Sequence, residues 1–127
     1  SEFAKGIPAL ELAHLRKQWL GNWYSSMSQT STADDPVTGK LSIAVDEDDA
    51  NLIGTISGSP SGRIFDGQLS ADGSVLQGRW KHENGDSGRY EYRLDQDSQT
   101  FTGNFSIGDA PIDRSANFWN GSRREGR

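Results

Sequence analysis

Between residues 45 and 105 the chain repeats one hydrophobic–polar pattern three times. Val45-x-x-Asp48-x-x-x-Leu52-x-Gly54-x-Ile56 recurs 24 residues on as Leu69-x-x-Asp72-x-x-x-Leu76-x-Gly78-x-Trp80. It recurs 25 residues after that as Leu94-x-x-Asp97-x-x-x-Phe101-x-Gly103-x-Phe105. Each unit is an alternating apolar run, a polar turn with Asp at a fixed place, and a second alternating run containing one Gly. That period is the length of a β-hairpin. Ahead of the repeats, Leu12, Leu15 and Trp19 fall at helical spacing and Pro8 suits a first helical turn. These positions predict one short amphipathic helix over 8–20, ended by Gly21. The pattern then switches to period two, placing Trp23, Ser25 and Met27 on one face of a first strand. Polar segments from Gln29 to Gly39, over 57–62 and over 82–88, and then Gly108-Asp109-Ala110-Pro111, separate the remaining runs. Ala116 to Arg123 reads as a closing strand.

One strand, three hairpins and one closing strand make eight, with no room for crossover helices, so the pairing is expected to be an antiparallel meander. One face carries Trp23, Leu41, Ile43, Val45, Leu52, Ile56, Phe65, Leu69, Leu76, Trp80, Tyr90, Tyr92, Leu94, Phe101 and Phe105. The other shows Ser42, Thr55, Gln68, Gln77, Arg79, Glu91, Arg93, Thr102 and Asn104. A sheet apolar on one face only hides that face by curling into a barrel. The predicted fold class is therefore all-β: an eight-stranded up-and-down meander barrel with a short N-terminal helix. It forms one domain over 8–123 and is followed by a C-terminal tail at 124–127. Residues 1–7 read as a disordered or cloning-derived N-terminus, since Ser1-Glu2-Phe3 looks like a cloning remnant.

Gly54, Gly67, Gly78 and Gly103 fall on the apolar face, where a Gly weakens a strand unless something needs the space. Either neighbouring aromatic rings lie over the bare backbone there, or the glycines leave a hole for a ligand.

Thirteen basic against eighteen acidic residues give a net charge of −5 and a pI near 4.9. That balance argues against nucleic acid or an anionic membrane as the main partner. Only the last stretch, with Arg114, Arg123, Arg124 and Arg127, is locally basic. The absence of Cys excludes disulfides and thiolate chemistry. No apolar run approaches membrane-spanning length and no signal peptide is visible. Asn104-Phe105-Ser106 and Asn120-Gly121-Ser122 match the N-glycosylation triplet.

Candidate chemistry is sparse. Asp46-Glu47-Asp48-Asp49 suggests a calcium loop, but counting from Asp46 the fifth and sixth positions are Ala50 and Asn51, where an EF-type loop needs an oxygen ligand and a Gly. Asp48, Asp72 and Asp97 hold equivalent turn positions, suited to capping backbone N–H groups or, less simply, to a site along one rim. His14 and His82 have no Cys or His at zinc-ligand spacing. No nucleophile elbow or phosphate loop is present. The residues argue for no enzyme, no cofactor and no metal.

Trp19-Leu20-Gly21-Asn22-Trp23-Tyr24 resembles the opening Gly-x-Trp-Tyr signature of the calycin superfamily, the lipocalins and avidins. The resemblance implies a short helix leading into a first strand whose Trp plugs one end of the barrel. It also implies a terminal basic side chain packed over that Trp. Phe118-Trp119-Asn120-Gly121-Ser122-Arg123 fits such a last strand, so the resemblance assigns Trp23 and Arg123 this structural role. The avidin Asn that follows Trp-Tyr is Ser25 here, so biotin binding is not implied. Leu76-x-Gly78-x-Trp80, Gly85, Gly88 and Phe101-x-Gly103-x-Phe105 also resemble MORN repeats, which imply an open, elongated sheet used for protein or lipid contact.

The expected function is non-catalytic binding of a small apolar or aromatic ligand inside the barrel. Trp80, Tyr90, Tyr92, Phe101 and Phe105 would form its apolar walls, with space at the glycine level. The rival expectation is a protein–protein interaction domain with a filled core. That domain would work through its rim or outer surface, using Arg79, Arg89, Arg93 and Arg123 or the acidic turns.

Overall fold

The computed structural model describes residues 9–29, 36–48, 51–58 and 60–124. The helix α1 (Ala9–Lys17) leads into eight strands: β1 (Gly21–Ser28), β2 (Val37–Val45), β3 (Leu52–Gly58), β4 (Gly62–Leu69), β5 (Val75–His82), β6 (Ser87–Leu94), β7 (Thr100–Ile107) and β8 (Phe118–Ser122). Each strand pairs antiparallel with the next in sequence, and β8 returns to β1, so the sheet is a closed barrel. Closure leaves no unpaired edge and excludes the open array. No helix among the described residues is long and apolar enough to cross a membrane.

The helix stops at Lys17, short of the predicted 20, because the chain must turn Trp19 inward. The Trp19 N–H bonds to the carbonyl of Arg16 at 2.9 Å, and its ring is fully buried. The indole Nε1 donates to Gly73 O in the β4–β5 turn at 2.8 Å, and Trp23 Nε1 donates to Trp19 O at 2.9 Å. Trp19 therefore closes the end of the barrel reached by α1, here the helix end. The connections β1–β2, β3–β4, β5–β6 and β7–β8 lie at the opposite, far end. Pro8 and residues 1–7 lie outside the described residues, as do 125–127.

Strand alternation places Trp23, Ser25 and Met27 inward together, all buried. On β4 the expectation for Phe65 is corrected: Ile64 is buried, and Phe65 faces outward with the Arg63 guanidinium 5.1 Å from its ring centroid. The cause is a β-bulge. Asp66 and Gly67 together oppose the single residue Gly78, since Phe65 pairs with Arg79 and Gln68 with Gln77. Asp66 adopts a left-handed φ of 55°. One extra residue reverses the in–out phase along the strand, so Ile64, Gly67 and Leu69 share the inner face.

The space at Gly67, Gly78 and Gly103 is filled by rings. A Cβ on Gly67 or Gly78 would come within 2.9 Å of the Tyr90 hydroxyl, and one on Gly103 within 2.8 Å of Tyr92 Cδ1. Tyr92 stacks on Phe101 at 4.3 Å and lies 4.5 Å from Tyr90, between ring centroids. Trp119, fully buried on β8, meets Tyr92 edge-on at 5.2 Å.

Outside the barrel, the β7–β8 connection folds over the outer face of β6 and β7. Asn104 projects away from the core yet is fully buried, donating to Arg114 O and Ala116 O and accepting from Arg93. The Ser106 hydroxyl donates to Ala110 O at 2.7 Å. Glu91 accepts from both Arg93 and Arg114 at 2.9 Å. The glycosylation triplet at Asn104 is therefore inaccessible in the fold.

Turn carboxylates act locally. Asp72 accepts from Ser70 Oγ, Ser74 N and Ser74 Oγ, and Ser74 above all holds its pKa down to about 2. Asp97 accepts the Gln99 N–H, while in the β2–β3 turn Asp46 accepts the Asp48 N–H.

Candidate functional site

Of the five predicted ligand-facing aromatics, all point into the barrel, but they divide by depth. Tyr92 and Phe101 lie against Trp19 and Trp23 towards the helix end, with centroid distances of 5.1 to 6.3 Å between the two pairs. Tyr90 packs on Tyr92 and Trp119. Trp80 and Phe105 stand towards the far end, edge to face at 5.7 Å, and line a pocket of about 160 Å3 with Met27, Val37, Asp86 and His82.

Trp80 is fixed as the floor of this pocket. Its Nε1 donates to two carbonyls, Arg89 O and Ser106 O, each at 3.1 Å, so both edges of β6 and β7 hold the indole flat. His82, two residues on and therefore on the same face, packs over Trp80 at a ring distance of 4.8 Å. Its Nε2 is buried with no hydrogen-bond partner among the described residues. Such a nitrogen is costly to leave unmatched. Reading 82–88 as a polar loop hid this residue. The signal that would have found it is the period-two step from Trp80, because His82 is the last residue of β5 rather than the first of a turn.

Burial pulls the His82 pKa below 6.5, and nearby Asp86 opposes the shift only in part. The imidazole is therefore neutral at neutral pH. In the unfolded chain it protonates first as pH falls, so the unfolded state gains protons while the folded state does not. Stability is fully present above pH 6.5 and is lost as pH falls from there towards the folded pKa. The melting temperature of the parent should fall over that window relative to His82→Gln. Parallel pH profiles for the two proteins would remove this account.

At the other end, the Arg123 guanidinium lies 3.7 Å from the Trp23 ring centroid. It donates to Asn22 O at 3.0 Å and Gln18 O at 2.9 Å. Its contacts are to backbone and ring, so it fastens the barrel rather than facing a ligand. Gly54, on the inner face, has Ile64 Cγ1 within 2.8 Å of where a Cβ would stand. No group of three or more His, Asp or Glu among the described residues is placed to hold a metal ion.

What this arrangement can do chemically is bind. A slot the size of one ring, floored by Trp80 and Phe105 and edged by the polar side chains of His82, Asn84 and Asp86, offers shape and a few hydrogen-bonding groups. No protein-family model and no curated protein matches the chain; its closed, eight-stranded antiparallel barrel is compatible with a calycin-like fold.

Proposed function

We propose that this chain is a calycin-like binding barrel that takes one small aromatic or apolar group into its far-end pocket without catalysis. The observation that carries this reading is the one-ring pocket floored by Trp80 and Phe105, with His82 packed over Trp80 at its wall. Size limits the ligand. A pocket near 160 Å3 matches the roughly 150 Å3 at which an apolar cavity accepts a benzene-sized guest. Deeper entry meets the Tyr90, Tyr92 and Phe101 rings, which occupy the glycine level. A ligand carrying one polar atom on its ring should be preferred over a pure hydrocarbon, because His82, Asn84 and Asp86 edge the pocket.

Tryptophan fluorescence titrated with phenol and with toluene tests this directly. The parent should respond saturably, and more tightly to phenol. Val37→Phe, which fills the pocket from its half-buried wall, should keep its melting temperature and lose the response. An unresponsive parent, or a Val37→Phe protein that responds equally, would move the assignment to the outer surface and to protein contact.

A further inference from the structure

A second concave site lies on the outer wall, unrelated to the pocket within the barrel. It is a groove of about 730 Å3 across β4, β5 and β6. The β4 bulge forms one bank: Asp66 and Gly67 together oppose Gly78 alone, and Asp66 takes a left-handed φ of 55°. The β7–β8 connection raises the far bank with Pro111 and Ile112.

Along this groove the side chains come in registered pairs. Gln68 faces Gln77 across β4 and β5, and Arg79 faces Arg89 across β5 and β6. Two cations directly opposite on one face of a sheet repel each other. The chain has carboxylates in excess, at net −5, yet they do not relieve this pair. Asp109 reaches Arg79 only at 3.4 Å, with its own side chain 88% exposed, a geometry that contributes little. No carboxylate among the described residues pairs with Arg89. Glu91, at the edge of the groove, is already engaged by Arg93 and Arg114. Behind the floor, the Tyr90 hydroxyl is buried without a partner beside Gly78.

We propose that the groove binds a small hydroxylated carboxylate of the sugar-acid class, with its carboxylate between Arg79 and Arg89 and its hydroxyls along Gln68 and Gln77. Guanidinium groups only donate, in a fork that matches a carboxylate. Carboxamides both donate and accept, as hydroxyls require. The volume lies within the range of small-molecule sites, and the few apolar lining residues, Pro111 and Ile112, disfavour a hydrophobic guest. The bound anion would remove the repulsion that the free protein carries.

Thermal shift and calorimetric titration with glucuronate, glucose and sulfate test the assignment. Glucuronate should raise the melting temperature of the parent saturably, glucose should not, and sulfate should act at least tenfold more weakly. Arg79→Gln and Arg89→Gln should each melt at or above the parent temperature without ligand, because the like-charge pair is gone. Each should weaken glucuronate binding at least tenfold. Val37→Phe should leave the glucuronate response unchanged, so this site and the far-end pocket fail or succeed separately. The proposal is overturned if glucuronate gives no saturable response, if sulfate matches it, or if both arginine variants retain it.

Discussion

Replacing Trp19 with Ala should lower the stability of the barrel by about 4 kcal/mol, the range seen when a fully buried Trp is truncated. Trp19 has no exposed surface and touches three other aromatic rings, those of Trp23, Tyr92 and Phe101. Removing it opens a cavity at the helix end and strips Gly73 O of its 2.8 Å donor. The backbone carbonyl that receives the Trp23 indole is kept, so the loss belongs to the ring itself. For a domain of this size the melting temperature should fall by about 15 °C. Trp19→Phe keeps most of the ring but not the N–H, and should cost only about 1–2 kcal/mol. Chemical denaturation of both variants gives the ranking. If Trp19→Ala melts together with the parent, the plug at the helix end is not structural.

Gly88→Ala should be nearly as damaging, at about 3 kcal/mol, because it forces a methyl group against fixed backbone. The new Cβ would collide with the Ser106 carbonyl and come within 2.9 Å of Trp80 Nε1. That carbonyl is one of the two acceptors holding the Trp80 indole. The methyl therefore separates donor from acceptor, and the floor of the far-end pocket tilts with it. The variant should lose both stability and the phenol response. Gly85→Ala provides the contrast. Nothing lies within 4 Å of its added methyl, so its cost is the left-handed backbone alone, φ +98°, about 1–2 kcal/mol. If the two variants denature at the same midpoint, the collision at Ser106 has been relieved by movement that the static geometry does not contain.

Local periodicity was enough to reveal the hairpins, their number and most of the inner face. The repeats from Val45 to Phe105 map onto β2 through β7 in order, and Trp23, Ser25 and Met27 turn inward as their spacing requires. The phase of β4 was not legible. Ile64 and Phe65 are adjacent and both apolar, so alternation alone does not choose between them. The residue that resolves the choice, Asp66, takes its positive φ without being Gly, a conformation Asp tolerates. Asn104 and Ser106 were equally opaque. Their polar character marks an outward face, but their burial depends on a connection that crosses back over them from 110 to 116. The groove over Gly78 combines both of these long-range effects. His82 was readable in principle and was hidden by the turn-forming residues that follow it.

The β1–β8 seam has a consequence for how the chain reaches this structure. Seven of the eight ladders join strands adjacent in sequence, so each closes a loop of at most about ten residues. The eighth joins segments at opposite ends of the chain: Arg123 and the Asn22 carbonyl it grips are 101 residues apart. Bringing such distant segments together costs the most chain entropy of any contact in the barrel, and β8 offers only five residues to offset it. Loop entropy therefore favours assembly from hairpins to ring, with the arginine clasp expected to close late. On the same ground, a variant that loosens the Arg123 clasp, such as Arg123→Ala, is expected to raise amide exchange along β1 and β8 before the central hairpins.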